Sequence, residues 1–223
     1  ETLPVIADDA SVVVHGQADG LRVVRPGAGA GSTLPYRGTP WTLSADRRFL
    51  VASPADRDGV LDVIELTTGT SRRVEAGSAV VLGGADALFM RPFGPRVLVW
   101  RESLATSELA WQLQVPAQGG AIERRLIVDP DNNQFAVALG EQWGVGDLGR
   151  GELTSFLTVP KDRSPQWAGP GALMVAVRDE VRIHRPATAP VQLRRRAWDC
   201  ALSPGGRWAA ALPWDVARGA FER

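Results

Sequence analysis

Two stretches of this chain space their carboxylates as the start of a calcium loop does. Asp129-Pro130-Asp131-Asn132-Asn133 offers an oxygen ligand at every second residue, and Asp56-Arg57-Asp58-Gly59 sets two aspartates before a glycine. Calcium takes roughly six to eight oxygens, and such a loop needs a central glycine and a closing glutamate. Following Asp129, those two places are held by Gln134 and Gly140. Both stretches sit where a hairpin must turn, so they are read as turns and no metal is expected. His15 and His184, the two histidines, lack acidic or cysteine neighbours at ligand spacing. A zinc site needs more ligands than this pair offers, so both are read as packing or capping strand residues.

Nucleophilic chemistry fares no better. Cys200, the one cysteine, lies in an apolar segment with Arg194-Arg195-Arg196 several residues before it. A thiol among apolar residues is an inert, buried group rather than an activated nucleophile. The chain contains no Gly-x-Ser-x-Gly elbow, phosphate loop or dinucleotide fingerprint. No catalytic residue and no cofactor is therefore expected. Arginine is the remaining chemical resource: Arg194, Arg195 and Arg196 form the densest charge run, with Lys161 and Arg163 in the equivalent loop one repeat earlier. Guanidinium forks bind carboxylates bidentately. That run reads either as a solvated loop or as a site for an acidic partner.

The elements that must position these residues are short strands. Residues 41–74 hold a short apolar segment, the polar turn Ser44-Ala45-Asp46-Arg47-Arg48, and a second apolar segment ending at Ser53. A turn carrying Pro54 and Gly59 follows, since proline cannot pair in a ladder and glycine permits positive φ. Residues 61–66 then alternate as a strand with one solvated face would, before a Thr68-Gly69 turn and a last polar strand. Four strands fit in about 34 residues and leave no room for a helix. Such a meander is one propeller blade, which must stack on neighbours to bury its faces.

This unit resembles the WD40-like repeat of the TolB family of β-propellers. The residues that carry the resemblance are Leu43-Ser44-Ala45-Asp46-Arg47-Arg48, Val51-Ala52-Ser53, Asp56-Arg57-Asp58-Gly59, Val63-Ile64 and Thr68-Gly69. The opening motif returns as Leu202-Ser203-Pro204-Gly205-Gly206-Arg207. What the resemblance implies is a six-bladed fold and an envelope-associated or fused setting; it favours a periplasmic or extracytoplasmic compartment and leaves a cytoplasmic one open.

Composition limits the alternatives. The 223 residues are 44% hydrophobic and 22% charged, ordinary for a globular chain. Lys+Arg and Asp+Glu both number 25, so no net positive field draws in nucleic acid or anionic lipid. No apolar run reaches the roughly 20 residues of a membrane helix, so direct membrane insertion is not expected. With one cysteine there is no internal disulfide. A chain that opens on Glu1, without Met, reads as a piece of a longer polypeptide.

Repeats of about 36 to 46 residues divide the chain into blades at 1–37, 38–76, 77–118, 119–160, 161–196 and a partial sixth at 197–223. All belong to one all-β propeller domain. Eight tryptophans are many for this length; Trp41, Trp198 and Trp208 are expected to pack between blades, and Trp167 and Trp214 to be exposed contacts. The function expected is a non-catalytic interaction module that holds a protein or peptide, acidic in character, on the loops joining fourth to first and second to third strands. Its contacts are Tyr36, Arg37, Asp56, Arg57, Asp58, Arg91, Phe93, Lys161, Arg163, Trp167, Arg178, Arg194, Arg195 and Arg196. The alternative is the gating or substrate-binding propeller of a hydrolase or peptidase whose catalytic residues lie outside this chain.

Overall fold

In the computed structural model the described residues are 4–7, 10–17, 20–27, 31–117, 125–129, 133–140, 142–158, 165–177, 180–187, 189–195, 197–202 and 209–213. They contain strands and turns and no helix. The chain divides into two compact units, Glu1–Val115 and Pro116–Arg223.

The first unit holds three four-stranded antiparallel sheets, each a meander in chain order. They are β1 (Val5–Ile6), β2 (Val13–Gln17), β3 (Gly20–Val24) and β4 (Ser32–Leu34); β5 (Gly38–Leu43), β6 (Phe49–Pro54), β7 (Leu61–Glu65) and β8 (Ser71–Val74); and β9 (Ser78–Val81), β10 (Asp86–Phe93), β11 (Arg96–Ser103) and β12 (Leu109–Pro116). The second unit holds β13 (Leu126–Asp129), β14 (Gln134–Ala138), β15 (Gln142–Asp147) and β16 (Glu152–Thr158), then β17 (Gln166–Gly169), β18 (Ala172–Val177), β19 (Glu180–His184) and β20 (Val191–Arg195). Among the described residues β21 (Ala197–Leu202) and β22 (Ala209–Pro213) form a two-stranded sheet.

Stacking explains why the middle strands are so apolar. Leu50, Ala52, Ile64 and Leu66 pack with Val12, Val14, Leu21 and Val23 of the first sheet. Their alternates Phe49, Val51, Leu61 and Val63 pack with Ala87, Phe89, Leu98 and Trp100 of the third. Within the latter cluster Phe89 stacks on Trp100 with ring centres 5.4 Å apart. In the second unit Ala136, Trp143, Val145 and Leu157 pack with Leu173 and Val175 of the next sheet. A sheet covered on both sides has no solvated face. The expectation of one for residues 61–66 is thereby corrected, and Asp62 is 5% exposed.

Two tryptophans also depart from expectation. Trp41 does not pack between blades: the register shift between Pro40 and Thr42 makes it the extra residue of a bulge, and it is 42% exposed. Trp167, expected on the surface, is partly buried against the Ala136–Val175 cluster, and its indole nitrogen is buried without a partner among the described residues. Trp198 lies in β21, while Trp208 and Trp214 lie outside the described residues.

Candidate functional site

Successive antiparallel strands reverse direction, so within a meander the starts of its first and third strands share one edge with the ends of its second and fourth. The connector to the next sheet leaves from that same edge. In the first unit this rim carries Tyr36 and Arg37 in the β4–β5 connector, residues 55–60 between β6 and β7, Glu75 after β8, and the tip of the β10–β11 hairpin. Seven of the expected contact residues are thus brought to one edge: Tyr36, Arg37, Asp56, Arg57, Asp58, Arg91 and Phe93.

A buried carboxylate braces this rim. The Tyr36 hydroxyl donates to Asp62 Oδ2 at 3.1 Å. From the neighbouring strand, Arg73 Nε donates to Asp62 Oδ1 at 3.0 Å and Arg73 Nη2 to Oδ2 at 3.3 Å, a bidentate fork. Arg73 also stands 3.6 Å from Asp56 of the β6–β7 loop. The connector and strand β8 therefore meet on one acid, and the β6–β7 loop reaches the same arginine. Burial, and then the Asp62 carboxylate beside it, push the Tyr36 phenol well above its ordinary value of 10.0. Asp62 and Arg73 were not among the expected contacts. The available signal was an aspartate inside an apolar run with an arginine at the matching place in the next strand, where Asp62 pairs with Arg73 in register.

Further along the rim, Arg91 and Phe93 belong to strand β10, which corrects the expectation that they lie in a loop. Arg91 lies opposite Leu98 and Phe93 opposite Arg96. Gly94, with φ of 57°, and Pro95 are left as a two-residue turn. The Arg91 guanidinium lies 5.7 Å from the centre of the Phe93 ring and forms an ion pair with Glu75. Arg96 Nη1 donates to Gln114 Oε1 at 3.2 Å. Phe93 is 52% exposed.

The basic residues expected in the second unit are placed differently. Arg194 and Arg195 end strand β20 and pair in register with Val181 and Glu180, so they are not a free loop. Lys161, Arg163, Arg178 and Arg196 lie outside the described residues. Among the described residues no three His, Cys, Asp or Glu side chains gather as metal ligands. Asp131 lies outside the described residues, and Asp129 ends β13 opposite Gln134.

His184 has a consequence of its own. It is 5% exposed in β19, opposite Leu173, with Nε2 buried and unpartnered among the described residues. Burial lowers its pKa below the ordinary 6.5; a hydrogen bond to the Thr158 backbone opposes this, and the Arg182 charge adds to it. The unfolded chain then takes up a proton at a higher pH than the folded one. The stability linked to this ring is full above about pH 6.5 and falls as the pH drops through and below that value. Urea midpoints measured at pH 7.5, 6.5 and 5.5 should decline for the native chain and decline less for His184→Gln. Parallel declines would show that the ring is not the group responsible.

No protein-family profile matches the sequence, and no curated protein is similar to it by sequence. Solved structures are similar in shape. The AfRom2 CNH domain matches over 90% of this chain and 74% of that one, at 11% identity and a TM-score of 0.54. The Dos1 propeller matches over 94% of this chain and 64% of that one, at 8% identity and a TM-score of 0.59. TolB from Acinetobacter baumannii matches over 94% of this chain and 53% of that one, at 15% identity and a TM-score of 0.51. This chain therefore spans about half of the TolB chain and less than two thirds of the Dos1 propeller chain. At these identities the likeness is one of fold: the chain is an all-β protein of the β-propeller class.

Proposed function

We propose that this chain is a non-catalytic β-propeller module that holds a protein or peptide partner on the rim carrying Tyr36, Arg37, Asp56, Arg57, Arg91 and Phe93. The observation that carries the reading is Phe93, a large aromatic left 52% exposed on a rim whose β4–β5 connector is held by the Asp62 brace. Aromatic and arginine side chains together are the residues that dominate binding energy at interfaces. A braced rim loses little conformational entropy when a partner docks, which favours binding.

Photo-crosslinking in native cells tests this. A crosslinking residue at Arg37 or Arg57 should capture a discrete protein adduct. The same residue at exposed Thr68 or Thr106, in turns at the opposite edge, should not. Equal adducts from both edges, or adducts from the opposite edge alone, would remove the rim from consideration.

A further inference from the structure

Side chains two apart on a strand share a face, and so do register partners. Phe89, Arg91 and Phe93 therefore lie on one face of the β10–β11 hairpin together with their partners Trp100, Leu98 and Arg96. The inner part of that face is core: Phe89, Leu98 and Trp100 are packed against the second sheet. The outer part continues it past the rim as Arg91, Phe93 and Arg96. An apolar face that runs out of the core and ends on an exposed ring, with Arg91 over it and Arg96 as its register partner, is not explained by packing within the unit.

The two arginines are not equivalent. Arg91 is countered by Glu75, its ion-pair partner. Arg96 is exposed, and its Nη1 donates to the neutral amide oxygen of Gln114 at 3.2 Å. That bond orients the guanidinium without cancelling its charge. The Nε and Nη2 donors of the same plane match the two oxygens of a carboxylate. Arg73, by contrast, spends its fork on Asp62.

We infer that Arg96 and Phe93 form a reading site for an acidic peptide segment, in which an Asp or Glu carboxylate takes the Arg96 fork while an adjacent apolar side chain lies on the Phe93 ring. The inference rests on the proposed role of this rim in holding a protein, and it names the chemistry of the partner. Charge complementarity selects a peptide over a polyanion. Nucleic acid needs several phosphate contacts for useful affinity, and here the next cation along the face, Arg91, is already paired with Glu75.

The test uses two synthetic peptides on the full chain: acetyl-Asp-Leu-Glu-Phe-amide and its neutral counterpart acetyl-Asn-Leu-Gln-Phe-amide. Side-chain NMR signals of Arg96 and Phe93 should shift with the acidic peptide, and at least about fivefold less with the neutral one. The response should weaken as salt is raised. Arg96→Ala should lose about as much, Arg96→Lys should recover part of it as a charge without a fork, and Arg101→Ala should bind as the native chain does, since Arg101 pairs with Asp86 at the other end of the hairpin. Equal shifts from both peptides, or native binding by Arg96→Ala, overturn the inference. So does tighter binding at these signals by an oligouridylate or by phosphatidylserine vesicles. Rim crosslinks at Arg37 or Arg57 that persist beside a negative peptide result would leave the docking rim standing and remove only its acidic specificity.

Discussion

Arg73→Met should lower the stability of the first unit more than any other single change in the rim brace. Asp62 is buried, its side chain only 6% exposed, and Arg73 supplies two of its three hydrogen bonds. Methionine keeps much of the apolar stem but leaves a buried carboxylate with the Tyr36 hydroxyl alone. The loss falls on the buried partner, which keeps one hydrogen bond of three, while the 44% exposure of Arg73 screens part of the effect.

The companion variants should rank below it. Asp62→Leu removes the buried charge and lets the exposed Arg73 rehydrate, so it should cost about 1–2 kcal/mol, chiefly the unpaired Tyr36 hydroxyl. Tyr36→Phe removes one hydrogen bond, about 1 kcal/mol. Denaturant midpoints of the three variants decide the matter. If Tyr36→Phe proves as costly as Arg73→Met, the phenol hydrogen bond and not the guanidinium fork holds the brace.

Gly38→Ala should cost about 2–4 kcal/mol and loosen the same brace from the backbone side. A Cβ at Gly38 would stand 2.2 Å from the Ser53 carbonyl oxygen and 2.7 Å from Tyr36 Cε1. The first obstacle is backbone in the paired strand, where Gly38 faces Pro54, so β5 must move away from β6. The second is the ring that reaches Asp62. Because Tyr36 is the chain's one tyrosine, its ultraviolet titration isolates that ring. In the native chain the phenol should ionise well above 10.0, and in Gly38→Ala its midpoint should fall back toward that value. Gly83→Ala is the control, since a Cβ there meets nothing within 4 Å. An unchanged phenol titration in Gly38→Ala would mean that Tyr36 is not held through this glycine.

Much of the fold was legible because its signals are local. Each four-stranded sheet needs only apolar runs of strand length and turns rich in Gly, Pro and Asp, and residues 41–74 state that pattern within one span. Turn chemistry likewise gave Asp56 to Gly59 as a loop. The site was legible only as a set of loops. Asp62 was read as facing solvent because alternation within one strand cannot report that a second sheet covers the other side. The order of Arg194 and Arg195 in a ladder, and of Arg91 and Phe93 in a tight hairpin, depended on register that charge runs do not encode.

The sequence by itself determined the all-β class, the four-strand repeat and the polar turns, since these follow from period-two hydrophobicity and from residues that bend the backbone. Only the tertiary structure decided which polar groups are buried together. Tyr36, Asp62 and Arg73 come from three segments up to 37 residues apart, and they meet because stacked sheets bring a connector and two strands to one edge. It also decided that Phe93 would be left exposed while Phe89, four residues earlier on the same face, is wholly buried. Both are apolar residues in one strand. What separates them is where the neighbouring sheet ends, a boundary set by packing in three dimensions.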